Sequence, residues 1–126
     1  VRIPQTGTDE AVLNEFRGPG KCELCGARCA AREPHHFLRC GMGGGGRLDV
    51  RINLVSLGKT FQCPCHNAIH HGTMSRAEEK TKVLGAISKR MGHSPEAIEA
   101  SLLTLRQMAK GSIIPAWLQK ILDPST

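Results

Sequence analysis

Apolar positions recur with helical spacing most clearly in the last part of the chain. Ser75 followed by Glu78 is a capping-box pattern that opens a helix through Val83, Leu84 and Ile87 to about Met91. Ser94 before Pro95 starts a second helix, with Ile98, Leu102, Leu105 and Met108 on one face until Gly111. A third short helix is expected around Pro115 to Leu122, including Trp117, Leu118 and Ile121. Upstream the pattern shortens. REPHHFLRC reads as a short strand started after Pro34, and RLDVRINLVSL as a second strand in which Val50, Ile52, Leu54 and Leu57 share an inward face. HNAIHHG suits a short helix from His66, closed by Gly72. Ala11, Val12, Leu13 and Phe16 allow one or two helical turns before the break at Gly18-Pro19-Gly20, with a disordered arm as the alternative. GMGGGG at 41–46 is a loop, because ordering so many glycines is entropically expensive.

Three regions follow from this pattern: an arm or short helix at 1–18, a cysteine- and histidine-bearing module at 19–74, and a helical extension at 75–126. Helices whose apolar stripes pack on each other or on the module are the simplest account of the extension. Contact with DNA through Lys82, Lys89 and Arg90 is the alternative.

Composition adds a problem for the module. Phe occurs three times, Trp once and Tyr never, while glycine occurs 14 times. A core this poor in aromatics is marginal by burial alone, and disulfides or a structural metal are the usual supplement. All six cysteines, Cys22, Cys25, Cys29, Cys40, Cys63 and Cys65, precede the extension. Cys22 and Cys25 have the Cys-x-x-Cys spacing that brings two thiolates from one turn to one ion, and zinc is the expected occupant. Cys63 and Cys65 are candidates to close the site, with Cys29 or Cys40 able to replace either. A secreted disulfide scaffold is the rival, but it gives no reason for histidines to cluster beside the thiols. With no apolar run long enough for a signal peptide core or a membrane span, the expectation is a cytoplasmic protein without a membrane partner.

Histidines carry the second signal. His66 and His70 are four apart, one turn on a helix, and form a clamp for a divalent ion with coordination positions left over. His35 and His36 are adjacent, so on a strand they face opposite sides. A finger closed by Cys22, Cys25, His66 and His70 is the structural alternative. Formal charge is +6, and between Arg17 and Lys59 eight basic residues face three acidic ones, which suits a polyanionic partner.

In order along the chain, CELC, PHHF, INLVSL and CPCHNAIHHG resemble the HNH endonucleases, specifically the small zinc-stapled kind of bacteriophages and their hosts. The resemblance spans roughly residues 20–74. It implies an α+β fold with a ββα-metal hairpin–helix core, a structural zinc beside it, and here a small helical C-terminal extension. By the same resemblance His35, His66 and His70 hold a catalytic divalent ion (Mg2+, Mn2+, Ni2+ or Zn2+), and His36 is the general base. Asn53 ties down the loop between hairpin and helix and helps orient the base. His71 is an auxiliary residue near phosphate. The structural zinc is assigned to Cys22, Cys25, Cys63 and Cys65. The chain departs from the family after INLVSL: Gly58 stands where a cysteine is usual, then KTFQ, then Cys-Pro-Cys-His, which leaves the fourth zinc ligand open.

The activity implied is hydrolysis of DNA phosphodiester bonds, by nicking or double-strand cleavage, to 3′-hydroxyl and 5′-phosphate ends. Arg39, Arg47 and Arg51 flank the glycine loop as candidate phosphate contacts, which position DNA without reading its sequence. A homodimer or a larger phage or host DNA-processing complex, in the host cytoplasm for a phage protein, fits the family. The runner-up is a zinc-bound DNA-binding module without catalysis.

Overall fold

In a computed structural model the chain is described over residues 10–38, 48–59, 63, 65–70, 72–108 and 113–122. It is mixed α+β, with two small antiparallel hairpins and a set of helices. β1 (Gly20–Lys21) pairs with β2 (Arg28–Cys29), and β3 (Arg32–His36) pairs with β4 (Leu54–Gly58). α1 (Glu10–Asn14) precedes the hairpins, and α2 (Cys65–His70) follows β4. The extension holds α3 (Arg76–Met91), α4 (Pro95–Gln107) and α5 (Ala116–Leu122). No helix among the described residues is long and apolar enough to cross a membrane.

Two boundaries differ from the sequence expectation for physical reasons. β3 begins at Arg32, two residues before Pro34, and Pro34 sits inside the strand opposite Ser56. A proline is tolerated there because β3 has a partner on one edge only in its two-stranded sheet. RLDVRINLVSL is not one strand: Arg51–Asn53 forms a 3-10 turn and the strand starts at Leu54. The turn resets the side-chain phase, so the shared inward face of Val50, Ile52, Leu54 and Leu57 does not form. Leu54 instead packs with Leu13 and Phe16, which docks the N-terminal segment. Val55 and Leu57 face the main core with Ile52, Val83, Ile87, Ile98 and Leu102. β4 is therefore buried along its whole length.

The extension begins with the caps its sequence announces. Ser75 Oγ accepts from Glu78 N at 3.1 Å and Ser94 Oγ from Ala97 N at 3.1 Å, satisfying otherwise orphaned donors. Gly92 at φ 77 closes α3 in the left-handed conformation that costs glycine little. Gly111, the expected end of the second helix, lies outside the described residues. α3, α4 and α5 all touch the Arg51–Asn53 turn. One apolar core thus runs from the cysteine hairpin into α5, across the boundary at residue 74.

Arg90 fastens the two regions together. Its guanidinium donates to Glu23 Oε1 at 2.6 Å, to Leu54 O at 2.8 Å and to Arg51 O, and lies 4.9 Å from the centre of the Phe16 ring. A cation so occupied is turned inward, whereas Lys82 stays exposed in a 3.4 Å pair with Glu78. Replacing Arg90 with alanine strips partners from a half-buried carboxylate and from backbone carbonyls. A loss of about 2–4 kcal/mol is expected in urea unfolding. A change under about 0.5 kcal/mol, the usual range for a surface substitution, would contradict the clamp.

Candidate metal centre and the histidine hairpin

The first hairpin is built to present thiols. Cys22 N donates to Ala27 O and Gly26 N to Cys22 O, each at 2.9 Å, and Gly26 takes φ +75, so the chain reverses between Cys22 and Cys29. Glu23 then joins this turn to β4: its N donates to Ser56 O and its Oε1 accepts from Ser56 N, both at 2.9 Å. Cys63 and Cys65 arrive after β4. The sulfurs of Cys22, Cys25, Cys63 and Cys65 all lie within 4.8 Å of one another. A tetrahedral ion with Zn–S bonds of about 2.3 Å spaces its sulfurs by roughly 3.8 Å, so the four can hold one ion, consistent with structural zinc. All four are free thiols.

Their proton affinities show what an ion would have to displace. Burial raises Cys22, but hydrogen bonds from the Gly58, Cys25 and Leu24 backbone and the Cys63 thiol outweigh it and bring Cys22 down to about 7. Burial, with the neighbouring Cys22 charge, pushes Cys65 up to about 12, and burial raises Cys63 as well. Uptake of an ion therefore releases protons, and affinity falls as pH is lowered. The fall steepens below about 7, where Cys22 also holds its proton.

Gly58 explains how a displaced cysteine can complete the set. A Cβ on residue 58 would sit 2.7 Å from both Cβ and Sγ of Cys63 and against the Cys29 thiol. The Cys63 side chain thus fills the space that a side chain on residue 58 would take. Cys29 stays outside the group, donating to Ala27 O at 3.4 Å, and Cys40 lies outside the described residues. Gly58→Ala should lower stability by about 1–3 kcal/mol and weaken metal retention, measured by urea unfolding and chelator competition. Unchanged values for both would mean the thiols are not packed against residue 58.

The second hairpin carries the histidines. His35 and His36 sit opposite Val55 and Leu54 on the β3–β4 ladder and point to different sides. Both meet carboxylates. His35 is 4% exposed, with Nε2 2.9 Å from Glu79 Oε1 on α3, and His36 Nε2 is 2.6 Å from Asp49 Oδ1. Asp49 is 3% exposed in its side chain, and its carboxylate can only accept, so the His36 Nε2 carries the proton of that bond. Phe37, Leu38 and the first turn of α3 border an open cleft of about 320 Å3 with Glu79 in its wall.

Asn53 is fully buried and makes three side-chain bonds: Oδ1 accepts from Leu38 N at 2.8 Å, and Nδ2 donates to Leu38 O at 3.1 Å and Leu48 O at 3.0 Å. The amide therefore clamps the two ends of the 39–47 segment inside the hairpin. The expectation had this amide tie down the loop between hairpin and helix. β4 leads on to α2, which packs against it, and α2 starts at Cys65, so His66 stands in its first turn. His70 ends α2; its side chain lies outside what is described, as do Arg39, Arg47 and His71. Arg51 is described and is held by Glu15 through bonds of 2.8 and 2.6 Å.

Sequence reading missed Asp49 and Glu79. Asp49 had a signal, an acid four residues before Asn53 just after the glycine loop. Glu79 had none, because it reaches His35 only through the docking of α3. Against known proteins the chain matches no family model, no characterised protein and no solved structure.

Proposed function

We propose that the chain is a metal-dependent DNA endonuclease with a ββα-metal core formed by β3, β4 and α2. One observation carries the reading: a His35-His36 doublet on a strand, beside an Asn53 that clamps the hairpin loop, with a helix starting Cys65-His66 packed on the partner strand. His35, His66 and His70 would be the ligands of the ion, and an all-imidazole donor set suits a borderline divalent metal. Bound there, such an ion would supply a Lewis acid to the scissile phosphate and to the departing 3′ oxygen.

The remaining work falls to the chain's own groups. Asp49 holds His36 through Nε2–H, so Nδ1 is the ring atom that takes the proton of the attacking water. Asp49 also keeps that tautomer and stabilises the imidazolium once it forms. Asn53 fixes the strand ends that carry the base. To reach a DNA phosphate Arg51 would exchange its two-point bond to the exposed Glu15 carboxylate for one to another anion. The Cys22, Cys25, Cys63 and Cys65 site, its coordination closed by thiolates, would hold structural zinc and take no part in the chemistry.

Supercoiled plasmid incubated with the protein and Mg2+, Mn2+, Ni2+ or Zn2+ should convert to nicked or linear forms, with ends that a ligase reseals. No conversion with any of these ions, in protein shown to be folded, overturns the proposal. The occupation of both histidines by carboxylates favours a second reading, a zinc-bound DNA-binding module without catalysis. That module would retard DNA, leave it intact and hold one ion per chain.

A further inference from the structure

We propose that Glu79, on the first turn of α3, is the positioning residue for His35, holding its ring so that Nδ1 faces the ion of the hairpin–helix site. The inference rests on the nuclease reading and gives the C-terminal extension a part in it. Glu79 Oε1 lies 2.9 Å from His35 Nε2, with both side chains almost fully buried, at 6% and 4% exposure. Its second oxygen accepts from Arg76 Nη1 at 3.2 Å. Glu79 N donates to Ser75 O at 2.8 Å, so the residue belongs to a turn already set by the Ser75 cap.

Burying a carboxylate costs several kcal/mol unless a partner satisfies it, and a merely structural helix would gain more from an apolar residue here. What the pair does provide is orientation. A carboxylate accepting from one ring nitrogen fixes the tautomer and makes the other nitrogen a better metal donor. The site is then completed by a segment outside the hairpin–helix core, and the extension does more than cover the module.

The test uses the full chain, loaded with zinc at the thiolates, and reads Ni2+ binding by calorimetry for wild type, Glu79→Gln, His35→Ala and the double variant. Glu79→Gln is expected to weaken Ni2+ binding about 10–100-fold. In the His35→Ala background the same change should have little further effect, because Glu79 acts through that ring. A further loss in the double variant would make Glu79 a ligand itself and overturn the assignment. Equal Ni2+ affinity for wild type and Glu79→Gln would also overturn it, leaving the nuclease reading intact. A wild-type chain that takes up no ion beyond the thiolate one overturns both. Nitrogen NMR of the wild-type Zn2+ form needs no variant to fold: His35 should carry its proton on Nε2, and a proton on Nδ1 sinks the proposal.

Discussion

Substituting His36 with alanine is expected to reduce plasmid cleavage about 10²–10⁴-fold, the usual contribution of a positioned general base. DNA binding and the content of thiolate-bound metal should persist. His36 is on the more open side of β3, and its removal leaves the His35 ring, Asn53 and the thiol cluster untouched. The cost to stability comes from the 2.6 Å bond that the buried Asp49 carboxylate no longer receives from His36. Asp49→Asn separates the two effects. It keeps the shape and an amide oxygen but removes the carboxylate charge that holds the tautomer and stabilises the imidazolium, so it should also impair cleavage by orders of magnitude while unfolding near the wild-type midpoint. Equal cleavage rates for wild type and His36→Ala would end the assignment of the base, whatever the fate of Asp49.

The sequence spoke clearly where a local rule decides structure. Ser75, Ser94 and Gly92 are caps that act within one turn, and the helices they bound lie where spacing put them. The Cys-x-x-Cys turn was equally readable, because two ligands three residues apart need only one tight reversal. Legibility ended where distant segments decide. Val50 to Leu57 reads as one alternating strand, but Ile52 is wanted by the core beneath α3, α4 and α5. The chain turns there to deliver it. Arg90 stood in the sequence among the basic positions offered for DNA contact; only the arrival of Glu23, Phe16 and the Leu54 carbonyl makes it an internal clamp. The carboxylates on the histidine doublet belong to the same class. Asp49 is 13 residues from His36 and Glu79 is 44 from His35, and no periodicity connects them.

Removing metal should have the largest effect on the fold. Structural zinc in small thiolate sites contributes an apparent ~10–16 kcal/mol at neutral pH. Around Cys22, Cys25, Cys63 and Cys65 it would join the first hairpin to the chain that leaves β4, where few large side chains are available to do so. Chelation is expected to lower the thermal midpoint by more than about 20 °C and to release one zinc per chain. Helical signal from α3 and α4 should outlast the loss of the hairpins, because their caps and their Lys80–Glu99 pair at 2.8 Å are independent of the thiols. Cys63 gives the sharper version. Cys63→Ala and Cys63→Ser should both behave as the chelated protein. Loss of the ion in Cys63→Ser, whose side chain fills nearly the same space, would show that thiolate donation, not packing, supplies the stability. An unaltered melt after chelation, with all thiols still reduced, would mean that the four sulfurs hold no ion that the fold requires.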